Sequence, residues 1–137
     1  PTPSIALPLT AYIPEEYVPS LATRLSLYRS LASIQSTEEI DNMAQELGDR
    51  FGPLPQPAEN LLQMLEIKIL AARAGVESIR AQGKQIVLSM APGKTANMLA
   101  HPTEYGDAIR VTATQIRLDT KRLGSKWRLA LKRLLQG

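Results

Sequence analysis

The side chains with the greatest capacity for chemistry in this 137-residue chain are carboxylates that occur in three short groups. They are Glu15 with Glu16, Glu38 with Glu39 and Asp41, and Glu46 with Asp49. Such groups could supply a general acid and base, or the oxygen ligands of a hard cation. The first two groups precede or start predicted helices, where negative charge simply complements the helix dipole.

Glu46 and Asp49 lie instead in the last turns of a predicted helix, where the dipole disfavours acids by up to about 1 kcal/mol. We therefore predict that this pair contacts basic groups of a protein partner. The alternative is an ordinary solvated helix face.

Two further patterns are weak signals of catalysis or nucleotide binding. Gly93-Lys94-Thr95 resembles the end of a phosphate-binding loop, but the first glycine of that motif would fall at position 88, which is Leu88. His101, the single histidine, directly precedes Pro102, and we interpret it as a surface or capping residue. We predict no catalytic residue, no cofactor-binding residue and no metal site in this chain.

Composition narrows the class of protein further. The chain has no cysteine, which excludes disulfides, thiolate zinc sites and cysteine nucleophiles. No apolar run reaches the roughly 18 residues of a membrane span, and no signal peptide is recognisable. We expect a soluble, cytoplasmic protein without membrane contact. Because the chain begins at Pro1 without an initiator methionine, we also expect it to be part of a longer protein.

The charges are divided sharply along the chain. Residues 1–66 carry nine acids and three bases, net −6, whereas residues 67–137 carry four acids and thirteen bases, net +9. This division indicates either two different partner surfaces or two faces that partly neutralise each other. It also leaves a DNA-binding module as the alternative function, because basic residues could contact phosphates. The candidates for that contact are Arg122, Lys126, Arg128, Lys132 and Arg133.

Three helices are predicted in a helical part at 20–75. The first, from Ser20 to about Ile34, has an apolar stripe from which Arg24 is absent. That stripe consists of Leu21, Leu25, Tyr28 and Leu31, widened by Leu27 and Ile34. In the second helix, Ser36 and Glu39 form a capping box and Gly52 ends the helix. The prolines that follow enforce an extended connector, and Pro57 opens a third helix that ends before Gly75.

The remaining segments predict a small sheet and a terminal helix. Residues 5–9 read as an edge strand, and Gly83 lies at the turn of a predicted hairpin. A short helix is predicted at 95–100 and two further strands at 109–112 and 115–118. Ser125 is the predicted cap of a final helix with the stripe Trp127, Leu131, Leu134 and Leu135.

The predicted fold class is α+β: an N-terminal strand, three helices, a small mostly antiparallel sheet and a C-terminal helix in a single compact domain. The parts are 1–19 as strand and extended link, 20–75 as the helical part, 76–120 as the sheet and 125–136 as the terminal helix. We predict that the whole chain, 1–137, is one regulatory domain.

Three motifs together resemble a known family. They are Ala11-Tyr12-Ile13-Pro14-Glu15-Glu16-Tyr17-Val18-Pro19, Arg24-Leu25-Ser26-Leu27-Tyr28-Arg29 and the run from Glu46 to Pro55. In this order and at this spacing, they are similar to the C-terminal (TRCF) domain of the bacterial transcription-repair coupling factors, the Mfd family. The resemblance covers residues 5 to about 75 and is weak beyond residue 91.

The resemblance implies a parent protein that binds stalled RNA polymerase, translocates on DNA with ATP and Mg, and recruits the excision-repair protein UvrA. The motor lies outside these residues. In the family this domain is regulatory: it docks on a UvrB-like module of the same protein, covers the UvrA-recruiting surface and restrains the motor. The acidic contact of the family corresponds to Glu46 and Asp49, with Gly48 where a larger aliphatic residue is common. We expect the isolated domain to be monomeric.

Overall fold

The computed structural model describes residues 2–99 and 103–136. The chain folds into two compact units, a helical unit of residues 9–69 and a sheet unit of residues 1–8 with 70–137. The predicted α+β class is confirmed by this content of helices and strands. The assignment of residues 1–137 to one regulatory domain stays a prediction. The role expected for His101 falls outside the described residues.

The helical unit holds α1 (Leu21–Ala32), α2 (Thr37–Phe51) and most of α3 (Gln56–Ala74). Local capping starts the first two helices, and the cap of α2 at Ser36 confirms the prediction. The Ser20 hydroxyl accepts from the Thr23 amide at 3.2 Å, and the Ser36 hydroxyl accepts from the Glu39 amide at 3.2 Å. The buried core of this unit consists of Ile13, Val18, Leu27, Leu31, Ile40, Leu47 and Leu62.

The predicted buried stripe of α1 is partly wrong. Leu27 and Leu31 are buried, but Leu21 and Leu25 are 62% and 46% exposed. Arg24, predicted to lie off the stripe, is half-buried, and its Nη1 donates to the carbonyl oxygens of Val18 and Pro19 at 2.7 and 3.1 Å. An arginine can take a core-facing position because its apolar stem packs while its charged head finds carbonyls. The helix is therefore rotated away from the face that leucine spacing indicated.

The sheet unit contains five strands in the order β1-β2-β3-β5-β4. Their bounds are Ser4–Ala6 (β1), Val76–Gln82 (β2), Gln85–Met90 (β3), Ile109–Val111 (β4) and Gln115–Asp119 (β5). β1 pairs parallel to β2, and the other pairs are antiparallel, which confirms a mostly antiparallel sheet with the N-terminal strand at an edge. The edge strand ends at Ala6, before Pro8, so it is shorter than the predicted 5–9.

The β2–β3 hairpin has the predicted turn. Gln82 pairs with Gln85, which leaves Gly83 and Lys84 as a two-residue loop. Gly83 has φ of +59°, a left-handed conformation that favours glycine. The helix predicted at 95–100 is a short 3-10 turn, Ala96–Met98.

The predicted cap of the terminal helix is wrong. Helical structure begins earlier, at α4 (Thr120–Leu123), where Asp119 Oδ1 accepts from the amides of Lys121 and Arg122. A 3-10 turn that includes Ser125 then leads into α5 (Trp127–Gln136) without a side-chain cap. Asp119 takes the capping role because it lies at the end of β5, where the chain turns into the helix. The predicted leucines of α5, together with Ala130, are buried, whereas Trp127 is half-buried.

Candidate functional site

The C-terminal turns of α2 present an exposed charged surface. We call it the acidic α2 end and define it as Glu46, Asp49 and Arg50. All three residues are exposed, whereas Leu47 between them is only 2% exposed and belongs to the core of the helical unit. Because successive residues of a helix are about 100° apart, burial of Leu47 turns its charged neighbours outward. The sequence-based expectation that Glu46 and Asp49 face outward is therefore met by their exposure.

Tyr17 holds the end of α2 in place. Its hydroxyl lies 3.0 Å from the carbonyl oxygen of Leu47 and 2.7 Å from that of Gly52, so its single proton is shared between two acceptors. The carbonyl of Gly52, the residue that caps α2, has no partner within the helix, and the phenol supplies one. Its ring also packs edge-on against Phe51, with centroids 5.7 Å apart. Tyr17 thus fixes the turn from which the acidic residues project.

Burial raises the pKa of the Tyr17 hydroxyl above its ordinary value. The neutral phenol, which donates to the α2 carbonyls, is therefore the form that this environment favours. Ionisation would remove the donated proton and place a negative charge next to helix-end carbonyls. Integrity of the α2 end consequently depends on a group that stays protonated well above neutral pH.

Glu46 and Asp49 differ in their electrostatic surroundings. Glu46 Oε2 accepts from Arg50 Nη1 at 3.0 Å across one helical turn, and both side chains are about half exposed. The Arg50 guanidinium also lies 4.8 Å from the centroid of the Phe51 ring. The Asp49 carboxylate forms no hydrogen bond or ion pair within the residues that the structure describes. Asp49 can therefore bind a partner directly, whereas Glu46 must first give up its contact with Arg50.

Sequence reasoning missed Arg50 and Tyr17. A signal for Arg50 was present, because Glu at i with Arg at i+4 is a favourable pair on a helix. Tyr17 had no such signal, since it is 30 residues from Leu47 and 35 from Gly52 in the chain. The acidic α2 end therefore combines a locally predictable ion pair with a long-range hydrogen bond that only folding reveals.

The five basic candidates for DNA contact do not form one free surface. Arg122 pairs with Asp107, and Arg133 pairs with Glu104 and lies 3.4 Å from the Tyr105 hydroxyl. The hydrogen bond with Tyr105 and the charge of Glu104 raise the pKa of Arg133. Arg128 and Lys132 also have interaction partners, and Lys126 is exposed. DNA contact through these residues stays a prediction.

Other site chemistry is limited in the described part of the chain. Within residues 2–99 and 103–136, no three acidic or histidine side chains come together as a metal site would require. None of the described helices is long and apolar enough to cross a membrane. The prediction that the chain needs no metal or cofactor is not tested by these observations. Protein contact through the acidic α2 end is the chemistry that its geometry supports.

The family model of the TRCF domain matches residues 7–100. The chain belongs to the TRCF domain family. The matched region of this TRCF domain includes the acidic α2 end and stops before the basic candidates at 122–133. Tyr17 and its acceptors are also inside the matched region. The resemblance recognised from the sequence motifs is therefore confirmed.

Curated relatives of this TRCF domain are named transcription-repair-coupling factors. That of Staphylococcus haemolyticus is 38% identical over 98 residues, which is 72% of this chain and 8% of the relative. That of Escherichia coli is 31% identical over 93 residues, 68% of this chain and 8% of the relative. The matched segment thus spans less than a tenth of each relative.

A solved structure described as the C-terminal domain of transcription-repair coupling factor has the same fold. Its TM-score is 0.76 over 98% of this chain and 88% of that chain, at 19% sequence identity. The likeness extends the fold assignment of this TRCF domain past residue 100, where the family model ends, and through α4 and α5.

Proposed function

We propose that this TRCF domain is a non-catalytic, autoinhibitory protein-interaction domain of a transcription-repair coupling factor. It docks on a UvrB-like module of its parent protein, masks the surface that recruits UvrA and restrains the ATP-driven DNA translocase. The parent would bind RNA polymerase and DNA through its other parts. The observation that carries the proposal is the acidic α2 end, where exposed carboxylates project from a helix terminus held by Tyr17.

The helix dipole supports a role in binding. Acids in the last turn of a helix are disfavoured by up to about 1 kcal/mol, so their position brings no stability to the helix itself. A basic partner surface would make the same position favourable, because its positive charge would attract the two carboxylates. Asp49, which has no partner among the described residues, offers its full charge, and Glu46 can exchange its contact with Arg50 for an intermolecular one.

The strength of such contacts suits a reversible interface. Exposed ion pairs each contribute about 0–1 kcal/mol, so an interface built on a few of them can open when another partner competes. A ligand shifts a two-state equilibrium only by its differential affinity for the two states. Docking through Glu46 and Asp49 therefore permits release by RNA polymerase without requiring a large change in this domain.

The test is charge reversal, Glu46→Lys with Asp49→Lys, in the full-length parent. We expect UvrA binding and basal ATPase activity to rise, because repulsion replaces attraction at the docking surface. The variant should remain folded, since basic residues suit a helix C-terminus. Circular dichroism of the isolated domain checks the fold. Unchanged UvrA binding and ATPase in a folded variant would remove these residues from the proposal.

A matched control reverses Glu15 and Glu16, which are also exposed acids of the helical unit. Glu15→Lys with Glu16→Lys alters the net charge equally and should leave inhibition in place. Arg50→Gln should act in the opposite direction, because it releases Glu46 for the partner. We expect lower UvrA binding by that variant. If the control pair had the same effect, the change in net charge alone would explain the result.

A further inference from the structure

The sheet unit has a polar cleft formed by residues of β4, β5 and the start of α4. The cleft has a volume of about 290 Å³. Arginines reach it from three elements: Arg110 from β4, Arg117 from β5 and Arg122 from α4. We call these three residues the arginine cleft. The described lining residues include no aromatic side chain, so the cleft suits a charged ligand better than a stacked base.

Strand register places two of the arginines side by side. Arg110 is the direct partner of Arg117 in the antiparallel β4–β5 pair, so both side chains project from the same face of the sheet. Like charges directly opposite each other are unfavourable. Arg117 is held by neutral groups, since its Nη1 and Nη2 donate to Gln85 Oε1 and Gln115 Oε1 at 2.9 and 3.1 Å. Neither arginine forms an ion pair with a described carboxylate.

The two carboxylates of the cleft, Asp107 and Asp119, each have a partner of their own. Asp119 accepts from two amides at the start of α4 at 3.0 and 3.1 Å. Asp107 pairs with Arg122 at 2.5 Å. The hydrogen bond from Arg122 and its charge, with a smaller contribution from Arg110, lower the pKa of Asp107. The side chain of Asp107 is nevertheless 70% exposed and lies at the rim. It interacts with the charge of Arg110 but forms no ion pair with Arg110 or Arg117.

We propose that the arginine cleft binds a phosphate group, either free phosphate or a phosphate of a nucleic-acid backbone. Free phosphate carries between one and two negative charges near neutral pH, and each phosphodiester of a nucleic-acid backbone carries one. Either charge suits the two guanidinium groups that form no ion pair. Its oxygens can accept paired N–H donors from guanidinium forks. Arg117 is positioned for this because the two glutamines already orient its plane. The site is separate from the acidic α2 end and lies beyond the region matched by the family model.

The experiment is a titration of the full 137-residue chain followed by amide chemical shifts. One arm uses inorganic phosphate and the other a short DNA duplex, both near neutral pH and at constant ionic strength, with chloride as the blank. We expect saturable shifts of β4, β5 and α4 amides. Arg110→Gln with Arg117→Gln should weaken binding at least about tenfold, as expected when two charge-assisted hydrogen-bonding groups are lost.

The matched control is Arg29→Gln with Arg73→Gln, which removes the same charge from exposed residues that do not line the cleft. It should bind as the unchanged chain does. Saturation by inorganic phosphate makes free phosphate a sufficient ligand, whereas saturation by the duplex alone assigns the phosphate to nucleic acid. The proposal is overturned if neither ligand shifts the cleft amides, if the cleft variant keeps its affinity, or if the control loses as much.

A second variant tests the direction of the electrostatics. Asp107→Asn removes the rim carboxylate and frees Arg122. Phosphate should therefore bind about two- to fivefold more tightly. This gain is smaller than the gain from a full hydrogen bond to a charged group. The double cleft variant and Asp107→Asn thus move the affinity in opposite directions. Weaker binding by folded Asp107→Asn would contradict the proposed arrangement of charges.

Discussion

Gly48 occupies a position of α2 that other residues could also occupy. It lies inside α2, between the residues of the acidic α2 end, and a Cβ built there would have its nearest contact at 4.0 Å, with Leu54 Cδ1. Nothing in this geometry requires glycine. Glycine in a helix costs roughly 0.5–1 kcal/mol relative to alanine because it loses more backbone entropy on folding. We predict that Gly48→Ala raises the free energy of unfolding by about that amount, measured by urea denaturation.

Gly52, four residues further on, supplies the matched comparison. It has φ of +92°, and a Cβ there would meet no atom within 4 Å. Any cost of Gly52→Ala is therefore backbone strain, which we expect to lower stability by about 1 kcal/mol. Stabilisation by both substitutions, or by neither, would contradict the view that conformation alone decides which glycine is needed.

At the scale of the element, α2 depends on a residue outside it. Tyr17→Phe keeps the ring packed against Phe51 but removes the proton donated to two helix-end carbonyls. We predict a loss of about 0.5–1.5 kcal/mol in the free energy of unfolding. Amide exchange should quicken in the last turn of α2, where the acidic residues lie. Tyr12→Phe is the control, since Tyr12 is 44% exposed.

Because the pKa of Tyr17 is raised, its contribution to the free energy of unfolding depends on pH. A group whose pKa is higher in the folded protein than in the unfolded chain stabilises the fold below the unfolded pKa, about 10 for tyrosine. That stabilisation is lost as pH rises through the folded pKa. Alkaline unfolding of the original chain should therefore include a Tyr17 component that Tyr17→Phe lacks. Identical alkaline profiles for the two proteins would contradict it.

The elements also indicate what sequence can and cannot predict. Ser36, Gly52 and Gly83 act on neighbouring backbone, and the predictions based on them were confirmed. The face of α1 was misassigned because burial of Arg24 depends on carbonyls at Val18 and Pro19, which spacing does not reveal. Exposure of the candidate acids followed from helix periodicity. Their anchoring by Tyr17 and the pairing of Arg110 with Arg117 depended on contacts between segments distant in sequence or on exact register.

At the scale of the whole molecule, the division of charge along the sequence becomes a division between units. The helical unit carries nine acids and four bases, whereas the sheet unit carries four acids and twelve bases. The acidic α2 end belongs to the first and the arginine cleft to the second. This distribution favours the interpretation of two partner surfaces of opposite sign, because each proposed contact uses the excess charge of its own unit.

The sheet unit is assembled from both ends of the sequence. Residues 1–8 supply β1, whose Ile5 pairs with Ile79 of β2, a residue with no exposed surface. Deleting residues 1–8 should turn β2 into an edge strand and lower the protection of its amides by about 1–3 kcal/mol, the worth of a few backbone hydrogen bonds. Hydrogen exchange followed by NMR measures this strand by strand.

The same deletion should spare the helical unit, because the buried core of that unit begins at Ile13 and draws on no residue of β1. Amides of α2 should therefore keep their protection while those of β2 lose it. Ile5→Ala separates the two contributions of β1, since it removes the side chain and leaves the backbone ladder to β2. Its effect on β2 should be smaller than that of the deletion. Equal losses in α2 and β2 would mean that the two units unfold as one, and the separate assignment of an acidic surface to one and a phosphate site to the other would lose its structural basis.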